Sequence, residues 1–408
     1  MKILKKYLIV FLSLVVLLGC AGCSKKQNTN NVRNINIYSD MEDSKMLYLI
    51  NFIKEEYEKE NTNVKISFNN ISDGQQMINI LNKETADIIF TNRNNMIELA
   101  RKGLIADLST VAEENKLYER YYDIMWLYGK YNNKQYGMGI IPYSVEIMYN
   151  KKVLDSMDLD YPKDINGLYN ILKVLNKNSI KVPVITTKNT NIYSLLFSCV
   201  VNNEIGINNV EEHYDSSKKY YENSTKMQKA FDYINKMYKE SILSNKTFKI
   251  LNEDQIDELS DESTPLIMVT TNNMVKSSQK GFELGKTLDL SNIKFKKPVV
   301  VDSIFSISNN SVDKEEIQKF VKFIYDDKFQ SKLIEKKIVT GNKNVNNKLG
   351  DSYSSIINNI FYADSKNILF DYNIPKKLSK NIKFEVEEIL SGKYDGKEWK
   401  ESVGKTYK

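Results

Sequence analysis

The sequence predicts an α/β chain in two units, each built on a mostly parallel sheet. Strand and helix patterns alternate from residue 35 to residue 103. Buried strand patterns with polar exits resume at Lys181–Asn189 and Thr264–Asn273. Between these regions lies Tyr131–Leu154, an extended stretch interrupted by Gly137, Gly139 and Pro142. Alternation of this kind requires crossover helices, because parallel neighbours cannot be joined by a tight turn.

The N-terminus stands apart. Lys2, Lys5 and Lys6 precede an apolar run from Tyr7 to Leu18, too short to span a bilayer comfortably and laid out as an export signal. Leu17-Leu18-Gly19-Cys20 resembles the lipobox of lipoproteins, in which the signal is cut before a cysteine that then carries diacylglycerol. This gives a signal at 1–19, lipidation at Cys20 and a polar tether over 20–33, with Cys23 as the rival attachment site.

Composition excludes several chemistries. His213 is the only histidine, so a triad or His-based metal site elsewhere is ruled out. Cys199 sits in an apolar run and reads as a small buried hydrophobe, and no disulfide framework follows from three cysteines. The formal charge of +6 falls to about +3 once the signal lysines leave, too little and too dispersed for nucleic acid. Asp326-Asp327 and Glu315-Glu316 read as solvated helix faces rather than as a glycosidase pair. No enzymatic role, cofactor or metal is expected.

Along the body, Ile35–Asp40 alternates as a strand, and Met46, Ile50, Phe52, Ile53 and Tyr57 recur at helical spacing. Asn63–Ile71 is a second strand, ended by the turn signal Ser72-Asp73-Gly74. Ala86–Asn92 is a buried strand, followed by a helix that Gly103 closes. Later helices are expected on either side of Tyr161-Pro162, from Asn191, over Ser224–Ser241, and over Asp313–Lys337 with Glu315 and Glu316 at its start. Val299–Asn310 is a further extended run.

Four of these segments, in order, resemble the extracellular solute-binding proteins of ABC importers, the group that includes maltodextrin and other sugar binders. They are "ADIIFTNRNNMIELARKGLIADLST", "NNKQYGMGIIPYSVEIMYNKKVL", "MDLDYPKDINGLYNILKVL" and Val299–Lys337. The resemblance implies a two-lobed, type II periplasmic-binding-protein-like fold with a multi-crossing hinge. It places lobe 1 at 34–141 and 266–302, and lobe 2 at 142–265 and 303–408. The hinge reading explains the glycines, which permit unusual torsions and close approach, and Pro142, where regular pairing stops. A plain hairpin turned at Asn132-Asn133 is the alternative for that segment. The implied protein is a lipid-anchored monomer on the extracytoplasmic face, with a small-molecule solute and ABC permease subunits as partners.

In such sheets ligands sit beyond the C-terminal ends of strands. The expected cleft therefore takes Ser39, Asp40, Asp73, Asn92, Arg93 and Asn272 from lobe 1, and Tyr143, Ser144, Thr187 and Tyr193 from the hinge and lobe 2. The chain departs from the sugar binders at Met274 and Ile165, where they carry tryptophan. Trp126 and Trp399 fall on no expected strand end, so tyrosines such as Tyr38, Tyr143, Tyr193 and Tyr362 are the remaining platforms. A degenerate cleft on the same scaffold, serving a sensor or an interaction module, is the alternative function.

Overall fold

The computed structural model describes residues 32–71, 74–187, 190–202, 213–214, 217–259, 263–284, 297–301 and 303–408. The signal, Cys20, Cys23, the tether up to residue 31, and Asp73 lie outside these residues.

The first lobe starts as the periodicities predict. β1 (Arg33–Ser39) pairs in parallel with β2 (Val64–Asn70) and β3 (Ile88–Thr91). The connecting helix Ser44–Glu60 is capped by Asp43, whose carboxylate accepts from the Lys45 and Met46 amides at 2.9 and 3.1 Å. It buries Met46, Leu49, Ile50, Ile53 and Tyr57, while Phe52 is only half-buried. Each fully buried residue of this kind contributes about 1.5–3 kcal/mol relative to exposure. Asn92 caps the helix Arg93–Arg101, and Gly103, at φ +66°, turns the chain away from it.

The segment from residue 130 contains both features weighed for it. β4 (Lys130–Tyr131) and β5 (Lys134–Gln135) form a hairpin with Asn132 and Asn133 both at positive φ. The chain then runs through β6 (Met138–Gly139), at the edge of the first sheet, and enters the second sheet as β7 (Tyr143–Tyr149). Gly137 and Gly139 serve close approach only, since neither has a positive φ. A Cβ on Gly137 would lie 2.2 Å from Ile304 Cγ2, and one on Gly139 2.7 Å from Val301 Cγ1.

The second sheet adds β8 (Val182–Ile185), β9 (Phe248–Ile250), β10 (Leu266–Thr270), β11 (Glu283–Leu284) and β12 (Val299–Val300). β13 (Ile304–Ile307) returns to the first. Among the described residues, the orders are β2-β1-β3-β13-β6 and β11-β7-β10-β8-β9, with β12 also on β7. The runs β2-β1-β3 and β10-β8-β9 are parallel, and the other pairings in these two sheets are antiparallel. The sheets are therefore mixed.

The expected segment assignment needs correction. Leu266–Thr270 lies inside the second sheet, between β7 and β8, and Ile304–Ile307 lies in the first, between β3 and β6. A strand buried on both faces shows its depth in the sequence but not its neighbours. Residues 303–408 also divide. The expected single helix over Asp313–Lys337 breaks at Tyr325-Asp326 into Lys314–Ile324 and Asp327–Glu335, and both pack on the first lobe, Phe320 and Phe323 edge-on to Tyr57. Helices Lys376–Leu390 and Glu398–Thr406 pack on Gln228–Lys239 in the second lobe. The chain thus crosses between β6 and β7, between β12 and β13, and a third time between residues 335 and 376. The first two crossings are hydrogen-bonded neighbours, Tyr143 opposite Val300 and Ser144 opposite Val299.

Glu316 also departs from expectation. Its side chain is buried beneath Arg33, at 2.8 Å, and accepts from the Tyr57 hydroxyl, so it ties two helices rather than facing water. Glu315 is exposed and pairs with Lys319. No described helix is long and apolar enough to cross a membrane.

Candidate functional site

The C-terminal ends of β1 and β3 do face the second lobe, but their residues differ in what they leave free. Ser39 is buried, its hydroxyl accepting from the Met41 amide and its carbonyl from the Ile71 amide. Asp40 is 7% exposed. One carboxylate oxygen accepts from Thr91 Oγ1 at 2.8 Å and from the Asn95 amide, and the other has no partner. Burial pushes its carboxyl up, opposed by Thr91, Asn95 and the Lys376 ammonium of the second lobe.

Arg93 is 1% exposed and satisfied by protein. Nη1 donates to the carbonyls of Leu127, Tyr128 and Lys130 at 2.7–2.9 Å, and Nε donates to Asn373 Oδ1 at 3.0 Å. Its neighbour Asn94 gives its amide to the Asp371 and Ile374 carbonyls, both at 3.0 Å. The start of this helix is therefore a joint to the second-lobe segment 371–374. Asn92 is its cap and accepts from the Asn95 amide at 3.1 Å.

A second joint starts from the helix Ser44–Glu60. Lys45 Nζ reaches the Asn272 carbonyl at 3.1 Å, Glu253 at 3.3 Å, and Asn273 Oδ1. Asn272 accepts from Thr270 through Oδ1, and its amide nitrogen is buried without a partner. At the hinge, the Tyr143 hydroxyl contacts Met46 sulfur at 3.4 Å. Ser144 donates to Glu146 at 2.6 Å. Glu146, 3% exposed, also receives Lys297 at 3.1 Å and Asn359 at 3.2 Å, so one carboxylate ties strand β7 to the other two crossings.

Thr187 is buried against the Thr190 hydroxyl at 3.1 Å. Tyr193 packs half-buried within range of Glu387 on the Lys376–Leu390 helix, and burial pushes its hydroxyl up. Neither lies at the interface joints. Apart from Tyr143 at the hinge, the other aromatic candidates are placed elsewhere. Trp126 packs against Tyr118 and Tyr121, Trp399 is buried in the second lobe, and Met274 is 7% exposed in the core. Tyr38 donates to Glu84, and Tyr362 is exposed at the end of a helix. Burial pushes the Cys199 thiol up to about 12.

Between the lobes lies a cavity of about 480 Å³. The first lobe contributes Met77 and Ile78 from the helix Gly74–Leu81, then Asn95, Glu98, Leu99 and Lys102. The second contributes Tyr214, Pro375, Lys376 and Lys377. The Tyr214 hydroxyl is buried without a hydrogen bond, beside Asn94, whose amide hydrogens serve carbonyls. None of the nine described residues expected from strand ends forms this wall. The wall sits one helical turn further out: Asn95 stands three residues after Asn92, on the same face, and that i, i+3 relation is the signal that could have found it. Lys45, Asn94 and Glu146 were missed as well. Among the described residues, no cluster of ligating side chains could hold a metal ion.

No curated protein matches the sequence significantly. Solved structures match its fold. A solute-binding protein of an ABC transporter from Thermotoga lettingae, bound with α-D-tagatose, superposes with a TM-score of 0.67 at 14% identity, over 92% of this chain and 99% of that one. The sugar-binding protein MalE from Xanthomonas citri gives 0.69 at 10% identity, over 92% and 96%. An ABC substrate-binding protein from Listeria monocytogenes in complex with cycloalternan gives 0.66 at 18% identity, over 92% and 98%. The fold is thus the two-lobed, type II periplasmic-binding-protein arrangement. The profile of the bacterial extracellular solute-binding proteins matches residues 42–331, and this chain belongs to that family.

Proposed function

We propose that this protein is anchored by lipid at Cys20 on the extracytoplasmic face of the membrane, closes its lobes as a monomer on a small polar solute, and delivers it to an ABC importer. The observation that carries solute capture is the interlobe cavity, with two buried polar atoms beside it that lack partners, one Asp40 carboxylate oxygen and the Tyr214 hydroxyl. A buried polar atom without a partner costs about 1–3 kcal/mol, so a ligand or water that satisfies it is favoured there. The role is binding rather than chemistry. The fold resembles that of neighbours bound to sugars, and a small solute suits this cavity better than a long chain needing several aromatic platforms.

A solute library screened by thermal shift tests this reading, since binding to the folded form must raise Tm. A compound that raises Tm in the wild type and not in a Tyr214→Phe variant supports the cavity. Binding that survives substitution of every cavity residue refutes it. Mass spectrometry of the mature N-terminus tests the anchor: a diacylglyceryl Cys20 followed by Ala21 is expected, and a mature chain beginning at Cys23 overturns it.

A sensor or interaction role on the same scaffold is the second reading. What favours it is that Lys45 and Asn94 already join the lobes through protein contacts alone. Permease transport assays against binding to a sensor kinase separate the two.

A further inference from the structure

We propose that the cavity selects an anionic carbohydrate, a mono- or disaccharide bearing a carboxylate such as a uronic acid. This rests on the solute-capture reading and narrows it. Three of the cavity's ten lining residues are lysines, and they come from both lobes: Lys102 from the first, Lys376 and Lys377 from the second. Neither Lys102 nor Lys377 has an ion pair among the described residues. Glu98 is the acid on the described wall, and Arg101 holds it at 3.0 Å. Asp40 does not form the wall; it lies behind Asn95, which does. Closure of the lobes therefore brings cationic side chains from opposite sides around one space, with Lys376 facing the Asp40 carboxylate behind the wall and Lys102 and Lys377 outside any ion pair among the described residues.

The backbone adds to this field. Lys376 and Lys377 open a helix of 15 residues that has no side-chain cap and no acidic residue in its first turn. Its free amide groups and dipole favour an anion. A bare inorganic anion does not account for the rest of the wall. Tyr214 offers a buried, unpartnered hydroxyl, and Met77, Leu99 and Pro375 provide apolar surface. Apolar surface and a hydroxyl partner suit a sugar ring, and about 480 Å³ lies within the usual range for small-molecule sites.

The test is calorimetric titration and thermal shift with digalacturonic acid, cellobiose, maltose and sodium sulfate at matched ionic strength. Wild type is compared with Lys376→Gln/Lys377→Gln and with Lys102→Gln. These lysines are exposed, so equal Tm values without ligand will confirm that the variants fold. Digalacturonate should bind wild type, weaken as salt is raised, and lose roughly tenfold in affinity in the double variant. Cellobiose, maltose and sulfate should bind far more weakly. Neutral disaccharides binding as tightly as digalacturonate, with the variants unchanged, overturn the charge proposal and leave solute capture standing. Sulfate binding as tightly as digalacturonate overturns the carbohydrate class. Failure of every probe to bind counts against this proposal and against the capture reading together.

Discussion

Arg93 and Lys45 both bridge the lobes, yet they are different kinds of joint. Arg93 is buried, and its partners include three backbone carbonyls of its own lobe and, across the interface, the side-chain oxygen of Asn373. Lys45 keeps about a third of its side chain in solvent and reaches a carbonyl, an amide and a carboxylate on a flexible stem. The first has the character of a weld, the second of a latch. Position at a strand end therefore says where a side chain is, and not whether it is available to a ligand.

Breaking the weld should have the largest effect. Arg93→Met strands several buried acceptors, and a loss of about 2–4 kcal/mol is expected by chemical denaturation. A loss below about 1 kcal/mol would mean that water replaces the guanidinium and that this end of the interface opens freely. Glu146→Ala should come next. It leaves Lys297, about a quarter exposed, without its carboxylate and unties three hinge segments, costing about 1–3 kcal/mol. If the variant is as stable as wild type, the crossings are held by strand pairing alone.

Breaking the latch should barely change stability while changing shape. Lys45→Met removes a partly exposed pair, at most about 1 kcal/mol. The radius of gyration of the ligand-free variant, measured by small-angle scattering, should exceed that of wild type. Equal radii would show that Lys45 does not set the closed population.

Much of the scaffold was legible in the sequence. The first-lobe strands and helices follow from alternation and helical spacing, which local burial imposes residue by residue. Lobe membership of Leu266–Thr270 was not legible, because a strand buried on both faces carries no mark of its partners. Near the cavity, Asp40 was singled out because it follows a strand, and it lies behind the wall rather than in it. Arg93 was found for the same reason but given the wrong role, since its acceptors are carbonyls 34 to 37 residues away. Tyr214 and Lys376 were missed because lobe packing, not local pattern, brings them to the cavity.

The smallest effect is a pair of opposed pH dependences in the first lobe. Burial, chiefly, raises the Asp40 carboxyl, while Lys332 first and then Lys59 lower that of Glu56 on the helix Ser44–Glu60. Above the ordinary carboxylate range of 3.8, folded protein still holds the Asp40 proton that the unfolded chain has released. The stability linked to Asp40 is therefore complete below that value and is lost as pH rises through the raised one. Glu56 behaves oppositely: its contribution is complete above 4.5 and is lost as pH falls through the lowered folded value. Relative to wild type, the Tm of Asp40→Asn should improve as pH rises from 4 toward neutrality, whereas that of Glu56→Gln should trail by a constant amount above 4.5 and catch up as pH falls below it. A flat Asp40→Asn difference curve would mean that the unpartnered Asp40 oxygen is solvated like a surface carboxylate. Water would then reach it from the cavity, and a ligand there would have to displace that water rather than fill an unmet bond.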